Sequence, residues 1–379
     1  MKIVCVGAGL AVVRAVDELV RLGCAGTVEI YGAESVAPYD RPPLSKAILR
    51  SESEPPALWP AGAPSAVALR LGISAVGVDT TAGRVHLDDG STVAYDALII
   101  GTGAHSRRVP GLDGRDVHHL RTARDAVSLR DAVSDHGRLT ILGGGFIGCE
   151  VASSFRALDV AVTVLEREAT LLNQPLGPLV GAELTQLHRR HGVDVRCGVS
   201  VLGQDAAGLA LDDGTVLPPA PVLVSIGAEP SSAWLAGSDV LLDRGAVVCD
   251  RRGRATPPRV WAVGDVAAWA DGSGLPRRHE HWTSAADQGV AVARDILGQD
   301  PVALPLPYFW SDQYDVKIQM LGLAERSDVV EPVTIDGRKL FLYLRDGTLA
   351  AAVGLGAPRQ LMPLRAAVAA RAARAQVPV

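Results

Sequence analysis

Residues 138–168, RLTILGGGFIGCEVASSFRALDVAVTVLERE, set out a complete dinucleotide-binding turn. An apolar strand runs into Gly143, Gly145 and Gly148, an amphipathic helix follows, and a second strand closes at Glu166, 21 residues after Gly145. Each glycine answers a steric demand. The first permits a tight bend, the second lets a pyrophosphate approach the backbone, and the third lets the helix pack close to the strand. The helix N-terminus meets the phosphate charge, and an acid at Glu166 is placed to bond ribose hydroxyls. Strand, glycines, helix, strand and acid all agree, which a purely structural glycine turn would not require.

The same order occurs once before, in KIVCVGAGLAVVRAVDELVRLG (2–23) followed by TVEIYGAE (27–34). Gly7, Gly9 and Glu34 repeat the pattern, but Val12 stands where the third glycine belongs. Two copies imply two dinucleotide sites, and Val12 leaves open a first unit that has lost its ligand. Valine adds bulk where helix and sheet should touch. The helix over 10–22 must therefore stand off from the sheet or find room beside small neighbours such as Ala11 and Ala15.

The repeat extends beyond the turns. HLDDGSTVAYDALIIGTGAHSRRVPGL (86–112) reads as a strand pair feeding a buried strand that ends in glycine, with Arg107–Pro110 as a hinge. LALDDGTVLPPAPVLVSIGAEPS (209–231) resembles the same hairpin and strand, and RVWAVGDVA (259–267) is another buried strand ending at Gly264 and Asp265. From about Pro305 short strands take over, closed by a helical LMPLRAAVAARAARA (361–375) read as a solvated surface helix. The fold class is α/β: two Rossmann-like domains and a small α+β C-terminal domain.

At 379 residues the chain is long enough for two or three cores. A formal charge of -5, with 37 basic and 42 acidic residues well mixed, leaves no electrostatic footprint for nucleic acid or a membrane surface. Cys5, Cys24, Cys149, Cys197 and Cys249 show no metal-ligand spacing, so no metal is expected and buried thiols are the default. The first strand starts at Lys2 and no apolar run reaches membrane-spanning length, so a cytoplasmic location is expected.

Ordered blocks along nearly the whole chain resemble the FAD-dependent pyridine nucleotide oxidoreductases of the ferredoxin reductase type that feed bacterial oxygenases. They are PYDRPPLSK (38–46), GTGA (101–104), LRT (120–122), GGGFIGCE (143–150), VWAVGD (260–265), EHW (280–282) and YFWSDQY (308–314). The resemblance implies an FAD domain over 1–108 and 233–304, interrupted by an NAD domain over 109–232, with a C-terminal domain over 305–379. It implies that Gly7, Gly9 and Glu34 hold the adenosine half of FAD, with Ala75 at the adenine and Thr102 and Gly103 in the same domain. Arg41, Lys46 and Arg121 would lie near the pyrophosphate and flavin, Asp265 at the ribityl chain and the Trp282 backbone at the pyrimidine edge. On the nicotinamide side Gly143, Gly145, Ile147, Gly148, Glu150, Glu166 and Gly227 match, Glu166 favouring NADH over NADPH by repelling a 2'-phosphate. Lys46, Glu150 and Trp310 are the candidate catalytic residues: a cation at the flavin, a carboxamide contact and an aromatic lid.

The implied activity is hydride transfer from NADH to FAD and then single electrons to an iron–sulfur ferredoxin, of the [2Fe–2S] type, by a monomer or weak homodimer. No cysteine stands in 38–46, where disulfide reductases of this superfamily carry a pair and peroxidases a single one, so thiol relay is not expected. An NADH oxidase acting on oxygen or a small acceptor, and a signalling flavoprotein of the apoptosis-inducing-factor type, stay open as alternatives. Two short basic clusters, Arg251, Arg252 and Arg254 with Arg277 and Arg278, could steer an acidic ferredoxin. Departures from the family pattern are Val12 for glycine, Gly101 for alanine, Asp315 for glycine and Ser225 for glycine, and Val12 predicts a weaker hold on FAD.

Overall fold

A computed structural model describes residues 1–377 apart from 52, 113, 115 and 273. Two compact units are present. The first takes Met1–Asp40, Pro56–His105 and Glu229–Pro305; the second takes Arg41–Pro55, Ser106–Ala228 and the chain from Leu306 onward.

In the first unit five parallel strands lie in the order Val260–Ala262, Ala97–Ile100, Lys2–Val6, Thr27–Gly32, Val67–Leu71. Parallel neighbours need a crossover, and the helix Leu10–Arg21 supplies it between Lys2–Val6 and Thr27–Gly32. Ile3, Val4, Cys5 and Val6 are all buried, the uninterrupted apolar run of a strand covered on both faces. The helix Trp282–Ile296 packs on Leu10–Arg21 at Gly289, where a Cβ would lie 2.2 Å from the Ala11 carbonyl. Ala11 and Ala15 thus serve this helix contact rather than making room for Val12. The hairpin Arg84–Leu87 with Thr92–Ala94 feeds the buried strand Ala97–Ile100, as the sequence predicts.

The second unit repeats the sheet, parallel throughout: Asp194–Cys197, Ala161–Glu166, Arg138–Leu142, Val222–Val224, Val117–His118. Phe146–Arg156 is its crossover helix, and the pair Gly208–Leu211 with Val216–Leu217 leads to Val222–Val224. The chain from Leu306 adds an antiparallel sheet in the order Tyr308–Gln313, Val316–Gly322, Thr348–Leu355, Arg338–Arg345, Val329–Ile335.

The closing segment differs from the single surface helix expected. It breaks into Pro358–Leu361, Met362–Leu364 and Arg365–Ala369, because Pro363 has no N–H to continue the ladder and Arg371 turns left-handed at φ 51°. Leu361, Leu364 and Val368 are buried against the sheet, so one face is core. Among the described residues no helix is long and apolar enough to cross a membrane.

Candidate active site

The first glycine turn is shaped by close approach. Gly7 sits at φ 106°, and a Cβ on it would lie 2.2 Å from the Gly101 carbonyl. Gly9 caps the helix Leu10–Arg21 with no side-chain bond and no acid in the first turn, and a Cβ at Gly9 would meet nothing within 4 Å. Helical N–H groups without a cap, under an open glycine, are what a pyrophosphate requires. The residues present therefore fit a dinucleotide such as FAD.

Other predicted residues share this unit. Glu34 follows the strand Thr27–Gly32 and accepts a 2.6 Å bond from the Tyr39 hydroxyl. Ala75 opens the strand Ala75–Asp79. Thr102 donates to the Ser231 carbonyl at 2.7 Å, and Gly103 turns at φ 70°. Asp265 lies in a single turn, Gly264–Val266, whose Gly264 takes φ 73° and donates its N–H to Gln288 Oε1 at 2.8 Å. Sequence reading missed buried Gln288, which reads simply as a polar helix residue. Trp282 begins its helix and donates Nε1–H to Asp40 Oδ1 at 2.7 Å, while Arg14 lies 5.9 Å over its ring.

Val12 is fully buried, and its room comes from across the sheet. A Cβ on Gly101 would lie 2.4 Å from Val12 Cγ2, so the missing methyl at Gly101 is the space the valine methyl occupies. The two departures from the family pattern compensate each other.

The second turn carries its three glycines. Gly143 takes φ 101° with its Cβ position 2.3 Å from the Ser225 carbonyl, and a Cβ on Gly148 would lie 2.2 Å from the Gly143 carbonyl. Gly145 caps Phe146–Arg156 without a side-chain bond and is as open as Gly9. Glu166 is held by backbone donors, Oε2 by the Gly144 N–H at 2.6 Å and Oε1 by the Glu168 N–H at 2.8 Å. Gly144, also missed, is tightly faced: a Cβ there would lie 2.4 Å from Leu171 Cδ2 and 3.1 Å from Glu166 Oε2, so both side chains would have to shift. Ile147 on the first helical turn is 42% exposed, and Gly227 turns at φ 104° while accepting the Arg107 N–H at 3.0 Å.

Lys46 and Glu150 form a largely buried pair in the second unit, Nζ to Oε2 2.6 Å, with side chains 16% and 8% exposed. Neither is the surface charge a sequence alone would allow. Ser45 donates to the same oxygen at 2.5 Å and Ser311 to Oε1 at 2.6 Å. Arg41 donates to the Arg121 carbonyl, and the Arg121 N–H bonds Asp125 Oδ2 at 3.0 Å. Trp310 stacks on Tyr308, ring centres 6.0 Å apart. Gly7, Gly9, Glu34, Ala75, Thr102, Gly103, Asp265 and Trp282 thus lie in the first unit; the remaining predicted residues lie in the second.

Cys5, Cys149 and Cys249 are buried, while Cys24 and Cys197 are only partly covered. Burial pushes Cys5 and Cys249 up to about 12 and Cys149 well above its ordinary value. The basic clusters are locally matched: Arg254 and Arg252 pair with Asp295 at 2.6 and 3.5 Å, Arg277 with Asp271 at 2.6 Å and Arg278 with Glu280 at 2.5 Å. Arg251 donates to the Asp271 and Gly272 carbonyls. Neither cluster is a bare cationic patch.

Residues 1–289 match the family described as pyridine nucleotide-disulphide oxidoreductase, and 308–377 match the reductase C-terminal family. The benzene 1,2-dioxygenase system ferredoxin–NAD(+) reductase subunit of Pseudomonas putida is 36% identical over 98% of this chain and 92% of that protein. Putidaredoxin reductase of the same organism is 31% identical over 86% of this chain and 81% of its own. Among solved structures, the covalent putidaredoxin reductase–putidaredoxin complex superposes with TM-score 0.92 at 29% identity, covering 98% of this chain and 93% of that one.

Proposed function

The chain belongs to the pyridine nucleotide-disulphide oxidoreductase family, and from that premise we propose that it is an NADH-dependent FAD enzyme that reduces an iron–sulfur ferredoxin serving a mono- or dioxygenase. The observation that carries the reading is the pair of uncapped helix N-termini at Gly9 and Gly145, each under an open glycine. Relatives matching nearly the whole chain are named as ferredoxin–NAD(+) reductase subunits or components of dioxygenase systems. The reading includes the four-part division at 1–108, 109–232, 233–304 and 305–379, a [2Fe–2S] partner, a monomer or weak homodimer, and a cytoplasmic location.

Bound FAD would supply the conversion of a two-electron hydride donor into single-electron delivery. The Leu10–Arg21 N-terminus would neutralise its pyrophosphate, Glu34 would bond its adenosine ribose and Asp265 its ribityl hydroxyls. Gly145 and the Phe146–Arg156 N-terminus do the same for the NADH pyrophosphate. Glu166, already aimed by two backbone donors, accepts from the adenosine ribose and disfavours a 2'-phosphate. Exposed Ile147 offers an apolar contact, Glu150 accepts from the nicotinamide carboxamide, and Lys46 supplies the cation that stabilises developing negative charge.

Stopped-flow mixing with NADH, followed by cytochrome c reduction with and without an added ferredoxin, tests the reading. Many-fold stimulation by ferredoxin is expected. Fast turnover with oxygen alone, or very slow flavin reduction with a persistent charge-transfer band, would replace it with an oxidase or a signalling flavoprotein.

A further inference from the structure

Glu150 is the end of a longer chain of hydrogen bonds within the second unit. Ser311 Oγ donates to Glu150 Oε1 at 2.6 Å, and Gln313 Nε2 donates to Ser311 Oγ at 3.2 Å. His188 Nε2 lies 3.0 Å from Gln313 Oε1, and the Tyr314 hydroxyl 2.9 Å from His188 Nδ1. His188, Ser311 and Gln313 are fully buried. Tyr314 stacks on His191 with ring centres 3.7 Å apart, and its N–H is anchored on Ser153 Oγ at 2.6 Å.

The donors can be assigned one by one. A carboxylate paired with Lys46 accepts only, so the Ser311 proton points at Glu150. Ser311 then accepts from the Gln313 amide nitrogen, which leaves the Gln313 oxygen facing His188. That oxygen needs an N–H, so His188 is the Nε2–H tautomer and its Nδ1 accepts from Tyr314. Burial pushes His188 down to about 4, in keeping with a neutral ring. Every donor from Tyr314 inward points toward Glu150. An amide link does not pass protons as hydroxyls or imidazoles do, so the chain orients rather than relays.

We propose that Ser311, Gln313 and His188 are positioning residues, a directed hydrogen-bond chain that fixes the Glu150 carboxylate for the nicotinamide. The inference rests on the proposed role of Glu150 in NADH binding. It assigns the strand Tyr308–Gln313 a task beyond its aromatic residues: the alternate side chains Ser311 and Gln313 are both buried, and Ser311 holds Oε1 of the acid while Lys46 and Ser45 hold Oε2.

Two measurements test it on the full-length protein. In long-range 1H–15N spectra of 15N-histidine-labelled protein, with His188 assigned by loss of its signals in His188→Gln, the Nε2–H tautomer is expected. The Nδ1–H tautomer would reverse the chain and overturn the proposal. In single-turnover reduction of the bound flavin by NADH, Ser311→Ala and Gln313→Leu should each slow the step by about five- to tenfold, the scale of one ordinary net hydrogen bond. The double variant should be no slower than Ser311→Ala, Ser311→Thr should recover the rate to within about twofold, and NAD+ affinity by calorimetry should change less than about threefold, because the adenosine half still binds. Unchanged rates in both single variants, or multiplying effects in the double, defeat the chain. If instead Glu150→Gln reduces at the parent rate, the nicotinamide role of Glu150 fails, while the tautomer measurement still decides the hydrogen-bond order.

Discussion

The two glycine turns solve one packing problem with the bulk placed on opposite sides. The Gly7 N–H bonds the Tyr31 carbonyl and the Gly143 N–H bonds the Leu165 carbonyl, which puts Gly32 and Glu166 in register. In the first turn Ala8 faces Gly32, with their Cβ positions 2.8 Å apart, and Val12 faces Gly101. In the second, Gly144 faces Glu166, and Gly148 stands where Val12 does with Ser225 in place of Gly101. Side chains come from the turn and helix in one copy and from the strand ends in the other. The residues that fill the space between helix and sheet therefore differ between the copies. The comparison also bears on stand-off. A Cβ at Gly148 would lie 2.2 Å from the Gly143 carbonyl, so the helix that carries Val12 cannot approach its strand as closely as its counterpart.

The largest effect should come from moving the first solution into the second turn. Gly148→Val drives a Cβ into backbone that cannot yield, and we expect NADH binding to fall beyond detection by calorimetry while FAD content is kept. Retained NADH affinity would mean the second helix tolerates the stand-off of the first.

Next is Gly101→Ala, whose methyl would lie 2.4 Å from Val12 Cγ2. Overpacking here should cost about 1–3 kcal/mol in denaturant unfolding. Val12→Gly alone should open a cavity and lower stability, against the simpler expectation that glycine at 12 improves the hold on FAD. The double variant Val12→Gly, Gly101→Ala should recover most of the loss and slow FAD release below the parent rate; a loss in the double equal to the sum of the two single losses would break the pairing.

Burial pushes His281 in the first unit and His188 in the second down to about 4 each. The folded values lie below the unfolded value, about 6.5, so the unfolded chain binds more protons in between. The stability of each neutral ring is whole above about pH 6.5 and is lost as pH falls toward 4, by up to about 3 kcal/mol per ring. His188→Gln should flatten the fall between pH 7.5 and 4.5 in thermal melts, leaving the His281 share. An unchanged slope would place the acid sensitivity elsewhere.

The smallest effect concerns the acid of the second turn. Glu166→Ala removes a charge that faces a 2'-phosphate and should narrow the ratio of kcat/KM for NADH over NADPH by about tenfold. Equal efficiency with both nucleotides in the parent would remove the premise.

Much of this was legible in the chain. Two copies of strand, glycine turn, helix, strand and acid specify two parallel sheets, because glycine spacing and apolar runs are local properties that follow sequence order. The hairpins before Ala97–Ile100 and Val222–Val224 were legible for the same reason. The closing helix was not, since a single proline and one left-handed arginine outweighed a run of good helix formers. Lys46 and Glu150 could be nominated only as residue types; their pairing joins positions 104 apart, and no local pattern encodes that. Gln288 and His188 carry no signal of their own in the sequence, and Gly144 and Gln313 stand in blocks that the sequence marks without showing what either residue does.

By itself, then, the sequence determined which segments bend, which run apolar and which end in an acid, since those depend on neighbours within a few residues. Only the tertiary structure decided that Val12 is accommodated by Gly101, and that a carboxylate on one helix is gripped by a lysine from one loop and a serine from a distant strand. Steric volume and hydrogen-bond direction are settled between segments, and they exist only once the segments meet.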